Sequence, residues 1–150
     1  MAKVMNVFGV VAIVVTLVAI FFFMRQTRPP TPQTIVTIGT TEVRVNVADT
    51  LEERVQGLSG RKSLKEGEGL LFIFEQEGAQ GIWMKDMLFP IDIVWASSDG
   101  TIITIAPNVT PDTYPEAFYA KEPVARYVLE LPAGFAERHG IAEGAKLVVQ

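Results

Sequence analysis

Residues 91–106, IDIVWASSDGTIITIA, decide the fold of this chain. Two apolar runs, 91–96 and 101–106, flank Ser97-Ser98-Asp99-Gly100, a composition typical of tight turns. Both runs are rich in β-branched residues, and short runs of this kind bounded by turn residues are typical of strands. The stretch therefore predicts an antiparallel hairpin, and the neighbouring segments can be assigned outward from it.

Further strand patterns lie on both sides of this hairpin. Residues 35–38 and 42–47 predict a second hairpin around Gly39-Thr40-Thr41, and the apolar run 70–74 predicts a strand buried on both faces. The remaining predicted strands are 81–84, 124–131 and 146–149. Because strands dominate and hairpins recur, we predict a mainly β (α+β) domain with mostly antiparallel pairing. Its expected shape is a partly closed barrel or a two-layer sheet.

Two short helices complete this prediction. Thr50 and Glu53 have the spacing of a capping box, which predicts a helix from Leu51 to about Gln56. A second helix is predicted from Pro132 to His139, with proline at its first position and glycine after its end. His139, the only histidine, is expected to cap that helix rather than to bind a ligand.

The amino-terminal run Val4–Met24, VMNVFGVVAIVVTLVAIFFFM, contains no charged residue. As a helix it would be about 31 Å long, which matches the hydrocarbon core of a bilayer. The run ends in bulky residues and then Arg25, not in the small residues of a signal-peptide cleavage site. We therefore predict an uncleaved transmembrane helix, with the amino terminus in the cytoplasm and the domain outside.

The following residues, 25–34, read RQTRPPTPQT. Three prolines favour a stiff, extended spacer, and ten residues in that conformation reach about 31 Å. The predicted organisation is thus an anchor at 1–24, a proline-rich linker at 25–34 and one extracytoplasmic globular domain at 35–150. Such a single-pass protein would lie in the cell envelope, in the periplasm or at the cell surface.

Charge and composition exclude several classes of function. Residues 25–150 carry 12 basic and 17 acidic side chains, a net charge of −5, which disfavours nucleic acid as a partner. The chain has no cysteine and one histidine, so thiol chemistry, disulfides and a zinc site are not expected. No glycine-rich phosphate loop or nucleophile elbow appears, and we predict no metal and no cofactor.

Three ordered blocks of residues between Glu53 and Gly134 resemble a known family. They are Arg54, Gly57-Leu58, Arg61 and Gly69-Leu70-Leu71-Phe72; then Trp83-Met84-Lys85-Asp86 and Pro90-Ile91-Asp92; and finally Leu129-Glu130-Leu131-Pro132-Ala133-Gly134. This pattern resembles the exported bacterial and archaeal family known as domain of unknown function 192. The resemblance implies a compact, strand-rich domain placed after a signal peptide or an anchor, and it implies no reaction. The chain departs from the family pattern at Ser59, where methionine is usual, and at Asp86-Met87, where Asn-Thr is usual.

Charged side chains embedded in apolar or turn segments are the candidates for a site. Asp92 lies between two isoleucines and Glu130 between two leucines, and buried charges need partners. The predicted ligand-binding residues are Trp83, Lys85, Asp92, Glu130, Arg54 and Arg61. One interpretation is that an arginine fork holds Asp92 or Glu130 and serves only the fold. Another is that these groups surround a small pocket for a polar ligand.

We expect a membrane-anchored, non-enzymatic module that binds a small polar ligand or an envelope protein. Its expected contact surface combines the turn 85–89 with the proline-rich loop 107–123. Two alternatives stay open at this point. The first is an envelope hydrolase that uses Asp92 and Glu130 as its acid and base, and the second is a purely structural envelope domain.

Overall fold

The computed structural model describes residues 7–26 and 33–150. The chain divides into two compact units, Met1–Pro30 and Thr31–Gln150. The first contains helix α1 (Val7–Gln26). Nowhere in the described ranges is there a helix both long and apolar enough to cross a membrane.

Part of the predicted anchor and most of the predicted linker lie outside the described residues. The structure does not describe residues 4–6 of the apolar run or residues 27–32 of the proline-rich segment. The prediction that residues 4–24 lie in a membrane, and the assignment of 25–34 as a spacer, therefore stay predictions.

The second unit is built mainly from strands. Its elements are β1 (Gln33–Ile38), β2 (Thr41–Ala48), α2 (Leu51–Gln56), β3 (Glu68–Gly78), β4 (Ile82–Trp83), β5 (Ile91–Ala96), β6 (Ile102–Val109), a 3₁₀ turn (Pro111–Thr113), β7 (Ala117–Phe118), β8 (Ala125–Pro132), α3 (Phe135–Arg138) and β9 (Leu147–Val149). The expectation of a mainly β domain with a few short helices is confirmed.

Seven strands form one sheet in the order β6-β5-β8-β3-β2-β1-β9. All neighbouring pairs are antiparallel except β2 and β3, which are parallel. The two ends of the sheet approach each other, because Thr101 bridges to Lys146 and the amide of Leu147 donates to the Gly100 carbonyl at 2.8 Å. The sheet is therefore a curled half-barrel.

Side chains from the two faces of this sheet form two apolar clusters. One contains Leu71, Val94 and Leu129, and the other contains Phe72 and Trp95 among others. Successive residues of a strand point to opposite faces, so β3 contributes to both clusters in turn. Strand β3 is thus buried on both sides around Leu71, as its continuous apolar run predicted.

Two predictions about element boundaries are wrong. The strand predicted at 81–84 is only the two-residue β4, which pairs with β7 in a separate small sheet. The helix predicted from Pro132 begins at Phe135, because β8 continues through Pro132, which lies opposite Ile91 of β5. Gly134, in the left-handed region at φ 74°, makes the turn between strand and helix.

Candidate functional site

Helix α2 begins where the capping box predicted. The amide of Glu53 donates to the Thr50 hydroxyl at 3.3 Å, and the Glu53 carboxylate accepts from the Thr50 amide at 3.1 Å. The hydrogen bond from the Thr50 hydroxyl holds the pKa of the Glu53 carboxyl below its usual value. This cap fixes the start of α2 and so places the next residue, Arg54, over the sheet.

Arg54 holds α2 on strand β3 through backbone carbonyls. Its Nη1 donates to the carbonyl of Ile73 at 3.0 Å and to that of Asp49. Its guanidinium also lies over the Phe74 ring, 5.3 Å from the centroid. The hydrogen bonds that the structure describes for this guanidinium thus go to carbonyls, and the predicted arginine–carboxylate fork is not formed by Arg54.

Asp92 is fully buried on β5 and accepts hydrogen bonds from backbone amides. Its Oδ1 accepts from Asn108 at 2.8 Å and from Gly134 at 2.9 Å, and its Oδ2 accepts from Ala136 at 2.9 Å. These donors lie on β6, on the turn after β8 and on α3. Asp92 therefore joins three segments of the fold, and its acceptor capacity is used by the protein itself.

Glu130 on β8 is buried in a different way. Only 4% of the residue is exposed, and its Oε2 has no hydrogen-bond partner among the described residues. Its neighbours across the two adjoining strands are Leu70 and Ile93, both apolar and buried. This burial raises the pKa of Glu130 to about 8, and the positive charge of Arg61 opposes the rise.

Asp92 and Glu130 lie on opposite faces of the sheet. Asp92 is registered with Leu131 and Glu130 with Ile93, and residues directly opposite each other share a face. Leu131 belongs to one apolar cluster and Ile93 to the other. The structure therefore does not bring the two carboxyl groups together, and the acid–base pair of the hydrolase alternative is not formed.

A small cavity of about 50 Å³ lies against Glu130 on one face of the sheet. Its walls come from α2, from the turn after it, from β3, from β4 and the loop after it, and from β8. The lining side chains are those of Arg54, Val55, Gln56, Leu58, Ser59, Phe72, Ile82, Trp83, Met87 and Glu130. Ligand pockets for drug-sized molecules are typically about 300 Å³ or larger, so this cavity takes only a small group.

The residue at the mouth of this cavity is Trp83, which is 48% exposed. Its ring meets that of Tyr114 edge to face at a centroid distance of 6.1 Å. The ammonium group of Lys85 lies 5.8 Å from the indole centroid, within the range of a cation–π contact. An exposed indole with an aromatic and a cationic neighbour thus stands beside the buried carboxyl.

The loop after β4 is fastened to the turn after α2. The hydroxyl of Ser59 donates to the Lys85 carbonyl at 2.7 Å, and the amide of Gly60 donates to the Asp86 carbonyl at 2.9 Å. Asp86 has φ 55°, a conformation that asparagine and aspartate tolerate better than other residues with a side chain. Aspartate in place of the usual asparagine therefore keeps this backbone turn, while Met87 lines the cavity.

The six predicted site residues thus fall into four groups. Trp83, Arg54 and Glu130 line the cavity, Lys85 lies on the indole at its mouth, and Arg61 acts on Glu130 by its charge. Asp92 lies on the other face and belongs to the fold.

The sequence did not indicate the apolar walls of Leu58, Phe72, Ile82 and Met87, because apolar residues in such segments are ordinary core residues. Within residues 7–26 and 33–150, no three His, Asp or Glu side chains are arranged to hold a metal ion.

Replacing Asp92 by asparagine removes an acceptor from a buried network. In Asp92→Asn the side-chain NH₂ group, a donor, would face at least one backbone N–H, which is also a donor, and that hydrogen bond would be lost. We therefore expect Asp92→Asn to lower the free energy of unfolding by about 2–3 kcal/mol. Urea denaturation followed by circular dichroism measures this. Glu42→Gln is the control, because Glu42 is an exposed carboxylate on β2 and should change stability little. A loss in Asp92→Asn no larger than in the control would contradict the structural role.

The raised pKa of Glu130 predicts a pH-dependent stability. Between the ordinary carboxyl value of 4.5 and about 8, the folded state binds the Glu130 proton more tightly than the unfolded state does. The free energy of unfolding should therefore fall as pH rises through this window and level off above it. Each unit of pKa difference corresponds to about 1.4 kcal/mol.

Urea denaturation of the wild type and of Glu130→Gln between pH 5 and pH 9 isolates this effect. The variant should gain stability relative to the wild type as pH rises, because its amide cannot ionise. Parallel curves for the two proteins would show that Glu130 titrates normally.

Comparison with known proteins places this geometry in a family. The model of the family described as "Uncharacterized ACR", domain of unknown function 192, matches residues 34–149. A crystal structure from Sinorhizobium meliloti 1021, described as a "putative transcription regulator", is 32% identical with a TM-score of 0.76 and covers 81% of this chain and 97% of its own. A protein of unknown function from Novosphingobium aromaticivorans DSM 12444 is also 32% identical, with a TM-score of 0.71 and coverage of 77% and 84%. No curated protein matches. Since the family model spans more than half of the sequence, the chain belongs to the family known as domain of unknown function 192.

Proposed function

We propose that residues 33–150 form a non-enzymatic binding module whose cavity at Glu130 takes one small polar group of a ligand. The observation that carries this proposal is the Oε2 atom of Glu130, which is buried at the cavity without a hydrogen-bond partner among the described residues. A buried polar atom without a partner costs about 1–3 kcal/mol. A ligand group that hydrogen-bonds to Glu130 would offset that cost.

The mouth of the cavity supports the same proposal. Trp83 is only half-buried, so part of a large aromatic surface stays open to a ligand at the cavity. Tyr114 comes from the proline-rich loop 107–123, and its contact with Trp83 brings that loop to the segment that precedes the turn 85–89. The proline-rich loop thus contacts Trp83, which lines the cavity, and Met87 of the turn 85–89 lines it as well. Leu88 of the same turn is exposed.

The two alternative functions receive less support. A two-carboxylate hydrolase needs two carboxyl groups that face one cleft and flank the same substrate bond, within about 10 Å of each other. Asp92 and Glu130 project from opposite faces of one sheet. A purely structural role accounts well for Asp92 and Arg54, which are hydrogen-bonded to backbone, but it leaves the Oε2 atom of Glu130 unexplained.

Nucleic acid is a poor candidate for the ligand. The net charge of −5 over residues 25–150 repels a phosphate backbone, and nucleic-acid-binding domains usually present a basic surface. The description of the Sinorhizobium protein as a regulator is therefore not carried over to this chain.

We further propose that residues 4–24 hold this module at a membrane, with the domain outside the cytoplasm. The support is the sequence itself, which has 21 consecutive residues without a charge and is followed by a proline-rich segment. Charge on the two flanks, Lys3 against Arg25 and Arg28, is nearly balanced. The orientation therefore rests on the family resemblance to exported domains.

Binding at the cavity can be measured with a library of small polar fragments. Amide chemical shifts of the full-length protein in detergent should move at cavity residues when a fragment binds. Lys85→Ala should weaken the binding of such fragments by about two- to fivefold, because an exposed cation–π contact that orients Trp83 is worth about 0.5–1 kcal/mol.

The matched control for this measurement is Lys62→Ala, which changes an exposed lysine that does not line the cavity. The melting temperature of Lys85→Ala should equal that of the control. An equal loss of binding and melting temperature, or a library with no fragment that shifts cavity residues, would overturn the binding proposal.

Membrane attachment has a separate test. Membranes from cells that express the full-length chain should retain it after extraction with alkaline carbonate, because a spanning helix is not released with peripheral proteins. Protease added to intact cells or spheroplasts should digest the domain if it lies outside. Release into the carbonate wash, or a mature chain that begins after Arg25, would contradict the anchor.

A further inference from the structure

We propose that the cavity at Glu130 binds the acetamido group of an N-acetylated sugar whose ring stacks on Trp83. This inference rests on the proposed function and names the ligand class for the same site. It follows from the size of the cavity, from the chemistry of its walls and from the exposed indole at its mouth.

The cavity has the size of a substituent and not of a ring. About 50 Å³ is far below the volume of pockets that enclose whole ligands. A group of a few non-hydrogen atoms therefore enters, while the rest of the ligand stays at the surface. The part outside the cavity meets Trp83.

The walls combine apolar side chains with polar ones. Apart from Glu130, the polar lining side chains are those of Arg54, Gln56 and Ser59, and each of these donates to a backbone carbonyl. Four buried apolar side chains, Leu58, Phe72, Ile82 and Met87, share the cavity with Glu130. An acetamido group has matching parts, because its methyl group can contact the apolar side chains while its carbonyl oxygen accepts a hydrogen bond. A hydroxyl or an ammonium group alone would leave the apolar walls without a partner.

The charge state of the site favours a neutral acceptor. Burial keeps Glu130 mostly protonated at neutral pH, so its carboxyl can donate a hydrogen bond to a carbonyl. Three cations lie close to the site: Arg54 lines the cavity, Arg61 acts on Glu130 by its charge, and Lys85 lies at the Trp83 ring, so a cationic ligand is disfavoured. A carboxylate ligand would have to shed its water beside the buried apolar side chains of the cavity, which is costly for a charge.

The indole at the mouth favours a sugar over a linear chain. Trp83 presents a flat, half-exposed ring against which the C–H face of a pyranose can lie. The Lys85 ammonium lies 5.8 Å from the centroid of this ring, and the ring of Tyr114 meets it edge to face. An acetylated lysine would also bring an acetamido group. Its flexible alkyl chain would need a channel, and the cavity is too small to provide one.

The test is a titration of the full-length protein with four probes, followed by amide chemical shifts in a detergent without a sugar head group. The probes are N-acetylglucosamine, glucosamine, glucose and N-acetyl-lysine methylamide. N-acetylglucosamine should shift cavity residues and bind at least about tenfold more tightly than the two sugars without the acetyl group, since these lose a buried hydrogen bond and the methyl contact.

Two variants test the role assigned to Glu130. Glu130→Leu should abolish the binding of N-acetylglucosamine, and circular dichroism checks that the variant is folded. Glu130→Gln retains a donor and should bind with little dependence on pH, whereas wild-type binding should weaken as pH rises above about 8. The control Glu42→Gln, an exposed glutamate on β2, should behave as the wild type does.

The possible outcomes separate this inference from the proposed function. Equal binding of N-acetylglucosamine and glucose, or binding that survives Glu130→Leu, would overturn the acetamido assignment. Tighter binding of the lysine derivative would overturn the assignment to a sugar. If none of the four probes shifts the cavity while other fragments do, the inference fails and the binding module stands; if no fragment does, both fail.

Discussion

The alternation of side chains along β8 is the constraint on which the site depends. This strand lies between β3 and β5, so both of its edges are paired and its side chains can project only from the two faces of the sheet. Leu129 and Leu131 project into one apolar cluster, and Glu130 between them must project into the other. Because both edges of β8 are paired, a carboxyl group at that position cannot reach bulk water at a strand edge. It contacts only side chains on its own face of the sheet.

The same alternation explains why two similar buried carboxyl groups have different roles. Asp92 projects towards the face where β6 ends and where the turn after β8 leads into the start of helix α3, and the backbone amides of those segments point at it. Hydrogen bonds from backbone amides satisfy its carboxyl oxygens, and Asp92 thereby connects three segments of the fold. Glu130 faces apolar residues and the charge of Arg61, and burial favours the protonated form of its carboxyl group. The environment, and not the residue type, separates the hydrogen-bonded carboxyl group of Asp92 from that of Glu130 in the candidate site.

The position of the cavity follows from contacts between segments that are distant in sequence. Ser59 and Gly60 fasten the loop after β4 to the turn after α2, and Arg54 fastens α2 to β3. Trp83 therefore stands at the mouth of the cavity that Glu130 lines, although 47 residues separate the two. The proposed binding of a neutral acyl group uses this arrangement.

The sequence by itself determined the strand-rich class, both hairpins and the start of α2, since these depend on turn residues, alternation and a capping box that are local in the chain. It also marked Glu130 and Arg54 as candidates, because charges stand out against an apolar pattern, whereas the exposure of Trp83 appeared only in the structure. It did not determine the end of β8, where pairing with β5 carries the strand through Pro132. Nor did it separate Asp92 from Glu130. Only the tertiary structure decided that, because the face to which a side chain points depends on the register between strands far apart in sequence.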